Sequence, residues 1–448
     1  MCLRGEFENK INKAFISILT SFLLKTLLYN LGRSINLTRM KFPIRIQLSS
    51  MMFLQYCIWG AWYGQMSKYM TNQLGATGDQ VGQAYAAFSI AMIAAPFFVG
   101  MLADRFFSAQ KVMGVLNLLG AAVLFWVIQI NDPNLFFWGI LLYCLTFAPT
   151  IALASSISMR QMENPEKEFP SIRVLGTIAW IAIVNVVGWM GVGGDVMIFK
   201  LAMWFSIGLG IFSFFLPKSP PTIEGPVSIG QILGKDALVL LRDKSYVIFF
   251  VSSIIVCIPL AFYYTWANPA LTDAYIFAFP DSDPTGFKIE NKMSLGQASE
   301  VIFMLILPLL YVRLGIKKIV ILGLLAWIVR FLFFGFGTAD SLEWMFYVAI
   351  LLHGICYDFF FVSGQIYTDT KAGKRIRSQA QGLITFATYG IGMFIGSLVS
   401  GWVKDAYSAE GVTNWSGVWM VPAIISGFVL LFVALFFHEK KKVSTINQ

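Results

Sequence analysis

The sequence predicts an all-α membrane protein with twelve transmembrane helices in two six-helix halves. Composition is the first observation: of 448 residues, 57% are hydrophobic and only 13% charged, and mean hydropathy is +0.70, outside the soluble range. Second, the apolar residues gather in runs of about 20, the length that spans a hydrocarbon core. Third, one polar, proline-rich stretch divides those runs six and six.

In chain order, the N-terminal half (41–216) holds runs near 45–69, 81–102, 112–130, 135–157, 171–192 and 197–216. The central loop, 217–245, begins PKSPPTIEGP and is the longest connection. The C-terminal half (246–438) holds runs near 246–270, 294–312, 318–336, 343–366, 380–402 and 418–438, and a tail of 439–448 follows. Residues 1–40 are an N-terminal extension. AFISILTSFLLKTLLYN within it is short, interrupted by Lys25 and without a small-residue cleavage site, so it fits a signal peptide poorly. A peripheral amphipathic helix, a thirteenth span and a start placed upstream of a true initiator at Met40 stay open.

Lys and Arg are biased to alternate loops. Arg105 and Lys111, Arg160 and Lys167, Lys218 to Lys244, Arg313 to Lys318, and Lys371 to Arg377 fall on one side, with Lys440, Lys441 and Lys442 in the tail. The other side holds Lys288, Lys292 and Lys404. Positive charge stays inside, so both termini are expected in the cytoplasm of a multi-pass bacterial inner membrane protein. The same asymmetry accounts for the net charge of +9 without a nucleic-acid partner.

Five cysteines show neither a disulfide framework nor metal-ligand spacing, and with His353 and His438 as the only histidines no metal site is expected. No glycine-rich phosphate loop supports ATP-driven transport. Four ionisable residues lie inside apolar runs: Arg173 in SIRVLGTIAWIAIV, Glu300 in LGQASEVIFMLILPLL, Arg330 in LLAWIVRFLFFGFG and Asp358 in ILLHGICYDFFFVSG. A charge at the bilayer centre costs at least about 3 kcal/mol, so such residues mark an internal polar site. Arg173 with Thr177, and Gln297 with Glu300, are spaced to share a helix face. Arg330 reads as structural, His353 as either a ligand contact or a packing residue, and Asn268-Pro269 as a helix break. The sequon at Asn414 sits in a predicted external loop.

GMLADRFFSAQKVMG (100–114) and LPLLYVRLGIKKIVILG (307–323) place a basic short loop at equivalent points of the two halves. The first resembles the loop signature of the major facilitator superfamily, with its basic cluster reduced to Ser108-Ala109-Gln110-Lys111. That resemblance implies a midplane substrate site between the halves, and a conformational gate at Gly100, Asp104 and Arg105.

A narrower resemblance rests on FLQYCIWGAWYGQMSKYM (53–70), FAPTIALASSIS (147–158), FPSIRVLGTIAWI (169–181), QASEVIFMLILP (297–308), HGICYDFF (353–360) and VTNWSGVW (412–419). Together these are similar to the bacterial nucleoside:proton symporter family, in a less well characterised branch of nucleoside permeases. The resemblance implies substrate contacts at Arg173, Thr177, Gln297 and Glu300, and proton coupling at Asp358 with Glu300 as second candidate. Trp180, Tyr264, His353 and Tyr357 are further candidate substrate contacts, as aromatic faces for a base or at positions where family side chains differ. Amides expected on the seventh helix are replaced by Ala261 and Tyr264, His353 replaces an aromatic hydroxyl, and Tyr357 and Trp180 replace phenylalanines. Proton-coupled import of a nucleoside by a functional monomer is the reading, with the lipid bilayer as surroundings and the proton in place of a cofactor. Symport of a sugar or sugar derivative, and a non-transporting membrane receptor, are the alternatives. The chain is not expected to be an enzyme, because no nucleophile or metal set accompanies the carboxylates.

Overall fold

The computed structural model describes residues 41–98, 106–221 and 235–438. The N-terminal extension, part of the central loop, the tail and the predicted gate of Gly100, Asp104 and Arg105 lie outside the described residues. Helices make up nearly all of the rest, and one two-residue antiparallel pair, β1 (Ser408–Ala409) with β2 (Val412–Thr413), closes a turn. Among the described residues, eight helical stretches are long and apolar enough to cross a membrane by length and composition.

The first group of helices comprises α1 (Phe42–Trp62), α2 (Met66–Leu74), α3 (Gly78–Phe98), α4 (Ala109–Val127), α5 (Pro133–Arg160), α6 (Pro165–Met190) and α7 (Met197–Ser213). The predicted first span is in fact two helices, broken at Tyr63-Gly64-Gln65. Tyr85 donates to the Tyr63 carbonyl at 2.6 Å, so a carbonyl at the break still has a partner. Asp132, ahead of Pro133, caps α5 by accepting from the Asn134 amide at 3.0 Å.

The second group begins with α8 (Lys244–Ala278), capped by Asp243, which accepts from the Tyr246 amide at 3.1 Å. Helix α8 runs through Pro259 and Pro269 without interruption, which corrects the expected break at Asn268-Pro269. Helix α9 (Ile289–Phe336) joins the predicted eighth and ninth spans. Its one non-helical residue is Gly315, at φ 75°, a conformation glycine adopts without steric cost. Gly315 thus separates two arms, 289–314 and 316–336.

The predicted tenth span is α10 (Glu343–Leu351), α11 (His353–Tyr357), a π-helical turn over Asp358–Val362, and the start of α12 (Ser363–Thr385). A second π-helical turn, Phe386–Gly392, leads into α13 (Met393–Ala406), and α14 (Trp415–Phe436) ends the bundle. Turns of this kind are frequent at functional sites.

Polar contacts joining the two groups gather at the end away from the Lys/Arg-rich loops. Asp405 of α13 accepts from the Gly78 and Asp79 amides at 2.7 Å each, and so places a carboxylate on the positive end of α3. Asn185 of α6 donates to Ser294 at 2.9 Å and accepts from Asn291 at 2.6 Å. Lys68 of α2 reaches Glu290 of α9 at 3.0 Å.

Candidate substrate and proton site

Helix α6 carries Arg173, Thr177 and Trp180 on one stripe, each half-buried. The Arg173 guanidinium lies 4.3 Å from the centre of the Tyr56 ring, a cation–π contact with α1. Trp180 packs edge-on to Trp59 with centroids 5.5 Å apart. From α8, Tyr264 meets Tyr63 of the first group at 5.7 Å and His353 at 6.3 Å.

The first arm of α9 presents Gln297 and, one turn on, Glu300. Opposite it, α11 comes unusually near. A Cβ added to Gly354 would lie 2.7 Å from the backbone of Ser299 and Glu300, so only glycine permits this approach. The Gly354 amide donates to Ser299 Oγ at 3.1 Å and fixes the register. His353 Nε2 therefore sits 3.7 Å from Glu300 Oε2. Glu300 also lies within electrostatic reach of Arg173 and of Asp358.

Just inside the closed end, a small cavity of about 30 Å³ is lined by residues of both groups. Of the predicted site residues, Trp180, Tyr264 and Gln297 line it. Arg173, Thr177, Glu300, Tyr357 and Asp358 follow farther along their helices, toward the basic loops. Tyr357 shares a 2.5 Å hydroxyl–hydroxyl bond with Tyr389, which links the two π-turn regions. Asp358 opens the first π-helical turn, is fully buried, and has no hydrogen-bond partner for either carboxylate oxygen among the described residues.

Several residues of this region were missed or misread in the sequence. Glu290 lines the cavity while accepting from Lys68 at 3.0 Å and from Asn268 at 3.1 Å. It stands at the very start of its helix and reads as a loop-edge acid. Asn268 turns out to be part of this polar cluster. Arg330, read as structural, is fully buried and bonded to His353. Tyr56 and Tyr389 were hidden among the 16% of residues that are aromatic.

Apolar helices enclosing a polar interior, with a carboxylate that has no partner among the described residues, are the arrangement of a membrane transporter. The chain belongs to the nucleoside H+ symporter family, whose sequence profile matches residues 40–442. It is 39% identical over 408 residues to "Putative nucleoside transporter YegT" of Escherichia coli K12, covering 88% of this chain and 93% of that one. It is 32% identical to xanthosine permease of the same organism, covering 89% and 98%. Among solved structures, a mutant form of the nucleoside transporter NupG superposes with a TM-score of 0.83 at 29% identity, covering 88% of this chain and all of that one.

Proposed function

We propose that the protein imports a nucleoside together with a proton by alternating access. Two six-helix halves, 41–216 and 246–438, would form the twelve-helix major facilitator fold, joined by the cytoplasmic loop 217–245. The observation that carries the reading is the convergence of Arg173, Gln297, Glu300 and His353 from three predicted spans beside a buried Asp358 that has no hydrogen-bond partner among the described residues.

The chemistry suits a nucleoside. Glu300 accepts hydroxyl donors of a ribose, Gln297 can both donate and accept, and Trp180 and Tyr264 offer faces for a base. Stacking of that kind contributes about 1–3 kcal/mol per base where it has been measured. Arg173 supplies a planar fork of donors and holds positive charge opposite Glu300. Asp358 takes up the coupled proton in one access state and releases it when its surroundings change in the other. With the basic loops in the cytoplasm, the contacts through Lys68, Asn185, Glu290 and Asp405 close the external end, which makes this the inward-facing state of a plasma-membrane transporter.

Uptake into membrane vesicles tests this directly. Labelled nucleosides and sugars are offered with and without an imposed proton gradient. Accumulation of at least one nucleoside should require the gradient. Equal uptake without it removes proton coupling, and sugar uptake in place of nucleoside uptake removes the substrate assignment.

A further inference from the structure

Arg330 is fully buried in the second arm of α9, yet it meets no carboxylate at ion-pair distance among the described residues. Its guanidinium stacks 3.5 Å over the Tyr263 ring and also interacts with Cys356. It reaches His353 as well: Nη1 lies 3.1 Å from Nδ1 of that ring. A guanidinium donates and never accepts. Nδ1 must therefore carry a lone pair, and the single proton of the imidazole resides on Nε2. That nitrogen is the one facing Glu300, at 3.7 Å.

We propose that Arg330 is a positioning residue for the transport site, fixing His353 as a neutral Nε2–H donor beside the acceptor Glu300. An imidazolium is incompatible with this bond, because both of its nitrogens would be donors. The 3.7 Å separation exceeds a direct hydrogen bond, and a hydroxyl set to one side of the pair, with a small shift of the buried His353 ring, contacts both. Such a hydroxyl accepts from His353 and donates to Glu300. A ligand without it leaves both groups unmatched, which is how polar sites discriminate most strongly. This last step rests on the nucleoside reading, with a ribose hydroxyl as the bridge. The tautomer itself does not depend on it.

The chain has only two histidines, His353 and His438, so His438→Asn in tag-free protein leaves one imidazole. Ring-nitrogen NMR of labelled histidine then reports directly which nitrogen is protonated, since the two types resonate far apart. The expected spectrum shows a protonated Nε2 and an unprotonated Nδ1. Arg330→Met should move proton density to Nδ1 or produce a mixture. It should also weaken ribonucleoside binding by about tenfold and level its preference over 2′- and 3′-deoxynucleosides. Arg330→Lys keeps a donor and should restore the Nε2–H form. A wild-type Nδ1–H or imidazolium signal overturns the proposal, as does an unchanged tautomer in Arg330→Met. Should that variant not fold, a proton shift to Nδ1 in Arg330→Lys overturns it instead. The expected spectra without binding of any nucleoside would uphold the positioning role and discard the nucleoside reading.

Discussion

Two acids on one helix arm meet opposite fates. Glu290 and Glu300 stand ten residues apart on α9, about 15 Å along its axis. Glu290 is buried at the closed end with its charge met by Lys68 and its oxygen shared with Asn268. Glu300 has a histidine edge at 3.7 Å, beyond hydrogen-bond reach, and Asp358 beyond it has no hydrogen-bond partner among the described residues. A carboxylate already neutralised by the protein acts as a fastener between helices. One without a direct hydrogen bond from the protein is free to respond to what arrives from outside, whether a hydroxyl or a proton.

The largest effect should come from the least satisfied acid. Asp358→Asn imitates the protonated carboxyl permanently. We expect gradient-driven accumulation to vanish while counterflow exchange of substrate persists. Continued concentration of substrate by this variant under an imposed proton gradient would show that Asp358 is not the coupling group.

Glu300→Gln comes next. Hydrogen bonds to a charged group contribute about 1.5–3 kcal/mol, so affinity should fall by about tenfold to 150-fold while protein yield holds. Calorimetry in detergent measures this. An unchanged dissociation constant would place Glu300 with the fasteners. Arg173→Lys should reduce uptake by a similar factor, since the ammonium keeps the charge but loses the planar fork.

Glu290→Gln sharpens the contrast from the other side. It keeps the shape and a hydrogen bond to Asn268 but leaves Lys68, whose side chain is 15% exposed, without its counter-charge. The pair is largely buried, so its loss should cost more than the roughly 1 kcal/mol of an exposed pair. It should raise the outward-open population at least fivefold, read as faster labelling of a cysteine placed in the cavity at Val184. Substrate affinity of the closed form should not change.

The smallest effect is reserved for a pair outside the membrane. Lys371 donates to Asp243 at 2.6 Å and holds that carboxyl below the usual carboxylate range, helped by the Tyr246 amide. A depressed pKa contributes stability above the unfolded-state value, and the contribution disappears as pH falls through the folded-state value. The window therefore lies below about pH 4. The Asp243 side chain is 38% exposed, so Asp243→Asn should cost only about 0.5 kcal/mol at neutral pH, seen as a small fall in Tm that disappears in acid.

Much of this was legible in the chain, for a physical reason: lipid imposes long apolar runs, and any charge inside them must be explained locally. Arg173, Glu300 and Asp358 stood out on that basis alone. What stayed hidden depends on which helices touch. The break at Tyr63–Gln65 carries no proline, and its carbonyl is answered by Tyr85, 22 positions away. Arg330 looked like packing because its bond to His353 exists only once two arms of the bundle pack together. Glu290 reads as a loop acid until the fold places Lys68 against it.

The π-helical turn at Asp358–Val362 bears on how this protein can be re-engineered. Each wide turn holds one residue more than an α-turn, and one residue corresponds to about 100° of rotation. A helical wheel drawn straight through the tenth span is therefore out of phase beyond residue 358. Deleting a single residue inside the turn would close it to an ordinary helix and swing everything after it by more than a quarter-circle. Tyr367 and the residues around it would then face new neighbours while His353 stayed in place. In this stretch of chain, a change in length acts as a change in direction.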